Sequence, residues 1–119
     1  MTIHEKLATI QTKFKSKKSR YNAFGKYNFR SAEDILEAIK PFIEELGVTV
    51  TISERLIRVE TDFPILESTA TIIDTTKEDS FIFCTAIVGV DLQQKGMQMP
   101  QKFGSASSYG KKYALGNIF

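Results

Sequence analysis

The chain has 119 residues, 42% of them hydrophobic and 25% charged, with a formal net charge of +2; at that length one domain over residues 1–119 with a single core is expected. Cys84 alone excludes an internal disulfide, and His4 alone leaves little from which to build a zinc site. No apolar run approaches the roughly 20 residues of a membrane helix, no basic-then-apolar leader follows Met1, and no Gly-rich phosphate loop is present, so neither membrane, secretion, nor a cofactor is expected.

Ile3, Leu7, Ile10 and Phe14 are spaced for one face of an amphipathic helix, which should fray across Lys15–Ser19. Residues 21–30 place four aromatics around Gly25 with turn-prone Asn22 and Asn28, the pattern of a short hairpin or extended loop. Ser31 caps a second helix whose first turn carries Glu33 and Asp34, whose apolar stripe runs from Ile35 to Leu46, and which stops at Gly47. Pro41 inside that stripe predicts either a kink or a new start.

From Val48 the period changes to two: Val48, Val50 and Ile52 alternate with polar residues. The parity slips before Ile57 and Val59, which predicts a bulge or a tight turn near Ser53–Arg55. A strand over about Leu66–Asp74 and a polar turn at Thr75–Ser80 follow. Phe81–Val88 is nearly all apolar and reads as a central strand covered on both faces. Residues 89–101 have no clean period and read as a loop. From about Lys102 the spacing of Phe103, Ala106, Tyr109, Tyr113 and Leu115 resumes a helical pattern. The order is α-β-α-β-β-β-α, an α+β fold with an antiparallel sheet of about three to five strands flanked by helices.

Charge is unevenly spread. Residues 1–30 hold eight basic side chains against Glu5, a balance of +7; residues 31–94 hold four against thirteen acids, −9; residues 95–119 hold four with no acid, +4. If the two basic ends meet in the fold, they form the positive surface expected of a nucleic-acid binder; without a partner the same pattern serves solubility alone. The chain ends on Gly116-Asn117-Ile118-Phe119, an apolar finish that leads us to expect a longer native chain.

Two segments carry the functional argument. In Tyr21–Arg30, rings alternate with cations, which suits a strand whose bases stack while its phosphates are neutralised; the competing role for Phe24 and Phe29 is core filling, and for Tyr21 and Tyr27 the covering of a sheet edge. In Gln101–Tyr113, Gly104 to Ser108 are small enough for a backbone to approach the helix start, where free N–H groups hold a phosphate. Close helix-to-sheet packing uses small residues equally well. Lys111 and Lys112 follow one turn on, and Tyr109 and Tyr113 share a face at i, i+4.

The run Tyr21-Asn22-Ala23-Phe24-Gly25-Lys26-Tyr27-Asn28-Phe29-Arg30-Ser31-Ala32-Glu33-Asp34-Ile35 resembles the N-terminal signature of the ERF family of phage single-strand annealing proteins. Gly104-Ser105-Ala106-Ser107-Ser108-Tyr109-Gly110-Lys111-Lys112-Tyr113-Ala114-Leu115 is similar to that family's second motif. Two departures stand out. Lys111-Lys112 occupies positions where the family often has arginines, keeping charge but losing bidentate phosphate geometry. Gly110 sits where a better helix former is usual, at roughly 1 kcal/mol of local stability.

The resemblance implies a non-enzymatic recombination function: binding single-stranded DNA and annealing it to its complement without ATP, in homo-oligomeric rings or helical filaments with a basic groove. It also implies the cytoplasm of a bacterial host, and a variable tail absent here that recruits the host's single-strand-binding protein. The DNA-binding candidates are Lys111, Lys112, Arg30, Lys26 and Lys102 for phosphates, with Tyr109, Tyr113 and Tyr27 for stacking. Lys13, Lys15, Lys17 and Lys18 add peripheral attraction. The acidic middle is expected on the outer face or at a subunit contact, away from the bound strand. The alternative is a single-strand RNA- or DNA-binding regulatory module without annealing activity. A nuclease is disfavoured because Asp62, Glu67, Asp74 and Asp91 are spread without a tight motif, and a purely structural, sheet-edge assembly would show no DNA dependence.

Overall fold

The computed structural model describes residues 1–14, 20–23, 27–29, 31–58, 64–93 and 95–119. Helix α1 (Ile3–Lys13) opens on a capping box in which Thr2 Oγ1 accepts from the Glu5 amide and the Glu5 carboxylate accepts from the Thr2 amide. The Thr2 backbone N–H, and after it the Thr2 hydroxyl, hold the Glu5 carboxyl below its usual range. Ile3, Leu7 and Ile10 form its buried stripe. Strands β1 (Arg20–Asn22) and β2 (Tyr27–Phe29) pair antiparallel, Arg20 opposite Phe29 and Asn22 opposite Tyr27, which is the short hairpin predicted from the aromatic–asparagine run. Lys15–Ser19, where fraying was expected, and Phe24 and Gly25 lie outside the described residues.

Helix α2 (Ala32–Leu46) is capped by Ser31, whose Oγ accepts from the Asp34 amide while Asp34 accepts in return, and it ends at Gly47 in the left-handed region at φ +69°. A Cβ at Gly47 would lie 2.9 Å from Thr76 Cγ2, so both its conformation and its neighbour require glycine. Pro41 does not restart the helix, which runs on from Ala32 to Leu46. It lies on the exposed side, one turn after exposed Glu37, so the carbonyl that loses its partner faces water, while Ile35 and Ile39 anchor the buried side.

Strands β3 (Val48–Arg58), β4 (Ile65–Asp74) and β5 (Phe81–Gly89) form an antiparallel meander in the order β3-β4-β5. β4 alternates cleanly: Leu66, Ser68, Ala70, Ile72 and Asp74 are buried under the helices, and the residues between them are half-buried on the other face. The near-continuous apolar run of β5 predicted a central strand, yet β5 is an edge. Its Ile82, Cys84, Ala86 and Val88 pack on the core, while Phe81, Phe83 and Ile87 stand exposed on the far face. Burial is therefore one-sided among the described residues, with the helices flanking the sheet on the face of Ile82, Cys84, Ala86 and Val88. The parity slip in β3 is a register shift between Leu56 and Arg58, beyond the predicted Ser53–Arg55. Arg55 Nε donates to Glu67 Oε1 across the strands at 2.8 Å, one pair before the last regular one.

Helix α3 (Met99–Ile118) begins three residues before the predicted Lys102, with Pro100 in its first turn, where a missing N–H costs nothing. Its C-terminal end meets α1: Gln11 Nε2 donates to the Ile118 carbonyl at 2.7 Å, and the Phe14 and Phe119 rings lie 5.9 Å apart. The first and last helices thus converge at these ends. One charged contact lies inside this packing. Lys6 Nζ is 2.9 Å from Asp74 Oδ1, which also accepts from the Thr76 hydroxyl and amide, so α1 is tied to the turn after β4. The Thr76 hydroxyl, then the Lys6 ammonium and the Thr76 amide, hold the Asp74 carboxyl far below the usual carboxylate range.

Candidate nucleic-acid interface

Helix α3 divides by face. Its underside carries Ala106, Gly110 and Ala114 at intervals of four, all buried against the sheet. A Cβ on Gly110 would collide with Ser68 Oγ and touch Val88 Cγ2 at 3.7 Å. The glycine that looked like a weakness in the helix therefore lies so close to β4 that no Cβ fits there. What it costs in helix propensity is offset by packing that no larger residue allows. The Ser68 hydroxyl beneath it is buried without a hydrogen-bond partner.

The outer side carries Tyr109 and Tyr113, 44% and 49% exposed, with ring centroids 6.1 Å apart and planes inclined by 22°. Lys112 Nζ sits 5.7 Å from one centroid and 5.4 Å from the other. Two exposed π-faces and a cation lying across both make a surface suited to stacked bases with a phosphate alongside. The spacing Phe103, Ala106, Tyr109, Tyr113 and Leu115 therefore mixes two faces: Ala106 and Leu115 are core, the tyrosines are not. Asn117, one turn beyond Tyr113, donates to the Thr85 carbonyl at 3.0 Å, which puts the tyrosine row on the β5 side of the helix.

Lys111 points elsewhere. It is two residues from each tyrosine, about 200° round the helix, and its Nζ lies 3.1 Å from Glu54 Oε1 on β3. The same carboxylate oxygen accepts from Ser107 Oγ at 2.8 Å. The two adjacent lysines thus serve opposite flanks. Glu54 thus lies against a basic segment of its own chain, where the acidic middle was expected on the outer face or at a subunit contact. Its signal was present in the sequence, because Glu54 continues the row of Val48, Val50 and Ile52, and an acid on that face needs a donor. Lys102 Nζ donates to the Leu92 carbonyl at 2.6 Å and so ties down the loop before α3. Lys26 and Arg30 lie outside the described residues, and Tyr27 is described in backbone only, within β2. Of the acids considered for metal chemistry, Asp74 is held by Lys6, Glu67 by Arg55, and Asp91 accepts from the Gln93 amide, while Asp62 lies outside the described residues. Among the described residues no group of three or more His, Cys, Asp or Glu is placed to hold a metal ion, and no helix is long and apolar enough to cross a membrane.

Fold and surface together describe a small α+β domain with an aromatic and cationic face on its last helix. The sequence profile of the ERF superfamily matches residues 3–119, and the chain belongs to that family. It is 38% identical over 116 residues to the "Essential recombination function protein" of Salmonella phage P22, a match that covers 98% of this chain and 54% of the relative. The chain therefore spans about half the length of that relative. No solved structure shows a significant match to this chain.

Proposed function

We propose that this chain acts in phage homologous recombination as an ATP-independent annealing protein that binds single-stranded DNA and pairs it with its complement. The observation that carries the proposal is the Tyr109–Lys112–Tyr113 face of α3 in a member of the ERF superfamily. Base stacking on such rings contributes about 1–3 kcal/mol per base. Lys111 and Lys112 neutralise phosphates and so reduce the repulsion between two strands brought together. Lys102 lies two turns before Tyr109 on the same helix, and Lys26, Arg30 and Tyr27 are further contacts to the strand. Protomers assembled in a ring or helical filament hold each strand extended, and duplex stacking then drives pairing; no covalent bond is made or broken and no cofactor is used. The site of action is the host cytoplasm, and the host's single-strand-binding protein is a further partner.

Fluorescence anisotropy of a labelled single-stranded oligonucleotide in rising salt tests the binding step. We expect saturable binding whose log K falls linearly with log salt, weakened by Tyr109→Ala and by Lys112→Ala. Binding that is absent, or indifferent to both substitutions, would contradict it. RNA that competes better than DNA would favour a regulatory module instead.

A further inference from the structure

Glu54 faces the helical layer from β3, opposite Ser68 of β4, where its neighbours in the row are apolar. Its Oε1 accepts at once from Ser107 Oγ at 2.8 Å and Lys111 Nζ at 3.1 Å, two donors one turn apart on α3. A hydroxyl and an ammonium converging on one anionic oxygen form the donor set that a non-bridging phosphate oxygen uses. The Lys111 side chain is 40% exposed and that of Glu54 24%, so solvent and solutes reach the pair. An ion pair that open to water contributes little stability and exchanges readily.

We propose that Ser107 and Lys111 form a seat for one backbone phosphate of the DNA strand, and that Glu54 fills this seat in the free protein as an internal stand-in that the phosphate displaces. The inference rests on the single-strand-binding function proposed above. Glu54 then sets a threshold: a lone small anion lacks the further contacts needed to evict it, whereas a strand that also stacks on Tyr109 and Tyr113 brings them. Glu54 also hides Lys111 from the salt dependence of binding, since a lysine already neutralised from within releases less of the DNA's counterion on contact.

The test is the affinity of single-stranded oligonucleotide for Glu54→Gln, measured across a salt series beside the wild-type chain. We expect binding about fivefold tighter at low salt, with a log–log salt slope steeper by up to about 0.7. Glu54→Thr, which suits a strand but cannot bridge to Lys111, should do the same. In a Lys111→Met background the gain should largely disappear, and Ser107→Ala should weaken binding in the Glu54→Gln protein. Glu67→Gln removes a charge from the opposite sheet face and controls for bulk electrostatics; it should change affinity by less than about twofold. Unchanged or weaker binding by Glu54→Gln and Glu54→Thr, with a lower thermal midpoint, would make Glu54 a brace and overturn the stand-in. Equal gains with and without Lys111 would overturn it as well. A wild-type chain that binds no strand at any salt overturns the function itself, which separates the two failures.

Discussion

Among the described residues, two lysine–carboxylate pairs join helices to the sheet, and burial is what separates them. Lys6 and Asp74 have side chains 7% and 0% exposed, with Thr76 supplying two more donors to the same carboxylate oxygen. Lys111 and Glu54 are 40% and 24% exposed, with Ser107 as a third member. Bond lengths are nearly alike. Water decides the rest: the first pair has no alternative partner once desolvated, while the second trades its partner for any anion that arrives with enough other contacts. The same chemistry is a strut in one place and an exchangeable contact in the other.

The largest effect should come from breaking the strut. Lys6→Met leaves Asp74 buried without its cation, and Asp74 Oδ2 already lacks a partner, so thermal unfolding should begin well below the wild-type midpoint, by on the order of 10 °C. Lys111→Met should cost less than about 1 kcal/mol by denaturant titration; equal losses would erase the distinction between strut and exchangeable contact. The pH dependence has a defined sign. Asp74 has a folded-state value depressed below its ordinary 3.8, so its contribution is complete above that value and is lost as pH falls toward the folded one. Asp74→Asn should therefore flatten the acid limb of the stability profile while lowering the plateau.

A second contrast is between the two faces of α3. Gly110→Ala should cost about 1–3 kcal/mol through overpacking against β4. In a Ser68→Ala background the cost should shrink below about 1 kcal/mol, because the colliding hydroxyl is gone, and a double-mutant cycle by denaturant titration measures the coupling. On the outer face, Tyr109→Ala and Tyr113→Ala should leave stability within about 0.5 kcal/mol while weakening strand binding by about 1–3 kcal/mol for each stacked base lost. The smallest effect is in salt dependence: Lys112→Ala should lower the slope by about 0.7, and Lys111→Ala by less, since Glu54 already neutralises it.

Features set by local sequence are legible in the residues themselves. The start of α2 is read from Ser31 with Glu33 and Asp34 behind it, and that cap forms; α1 opens on a similar box, Thr2 with Glu5. The hairpin, the turn at Thr75–Ser80, the α+β class and the family are legible for the same reason, since each depends on neighbours in the chain. What misleads is hydrophobicity taken as burial. β5 is apolar on both faces yet lies at an edge, and β4 carries Glu67, Ser68, Thr69, Thr71 and Asp74 yet lies at the centre. Nothing in a strand's own sequence says which neighbours will flank it. Lys111 and Lys112 are adjacent in the chain but diverge in space, because consecutive helical residues do not share a face. Gly110 makes sense only with Ser68 beneath it, and that contact joins residues far apart in the chain.

The central claim is pairing, and the most direct measurement is duplex formation between two complementary labelled oligonucleotides mixed with this protein, with chelator present and ATP absent. We expect duplex to form faster than without protein, and more slowly when Tyr109 and Lys112 are both replaced by alanine. Duplex formation at the protein-free rate, or acceleration that survives loss of that surface, would contradict the account.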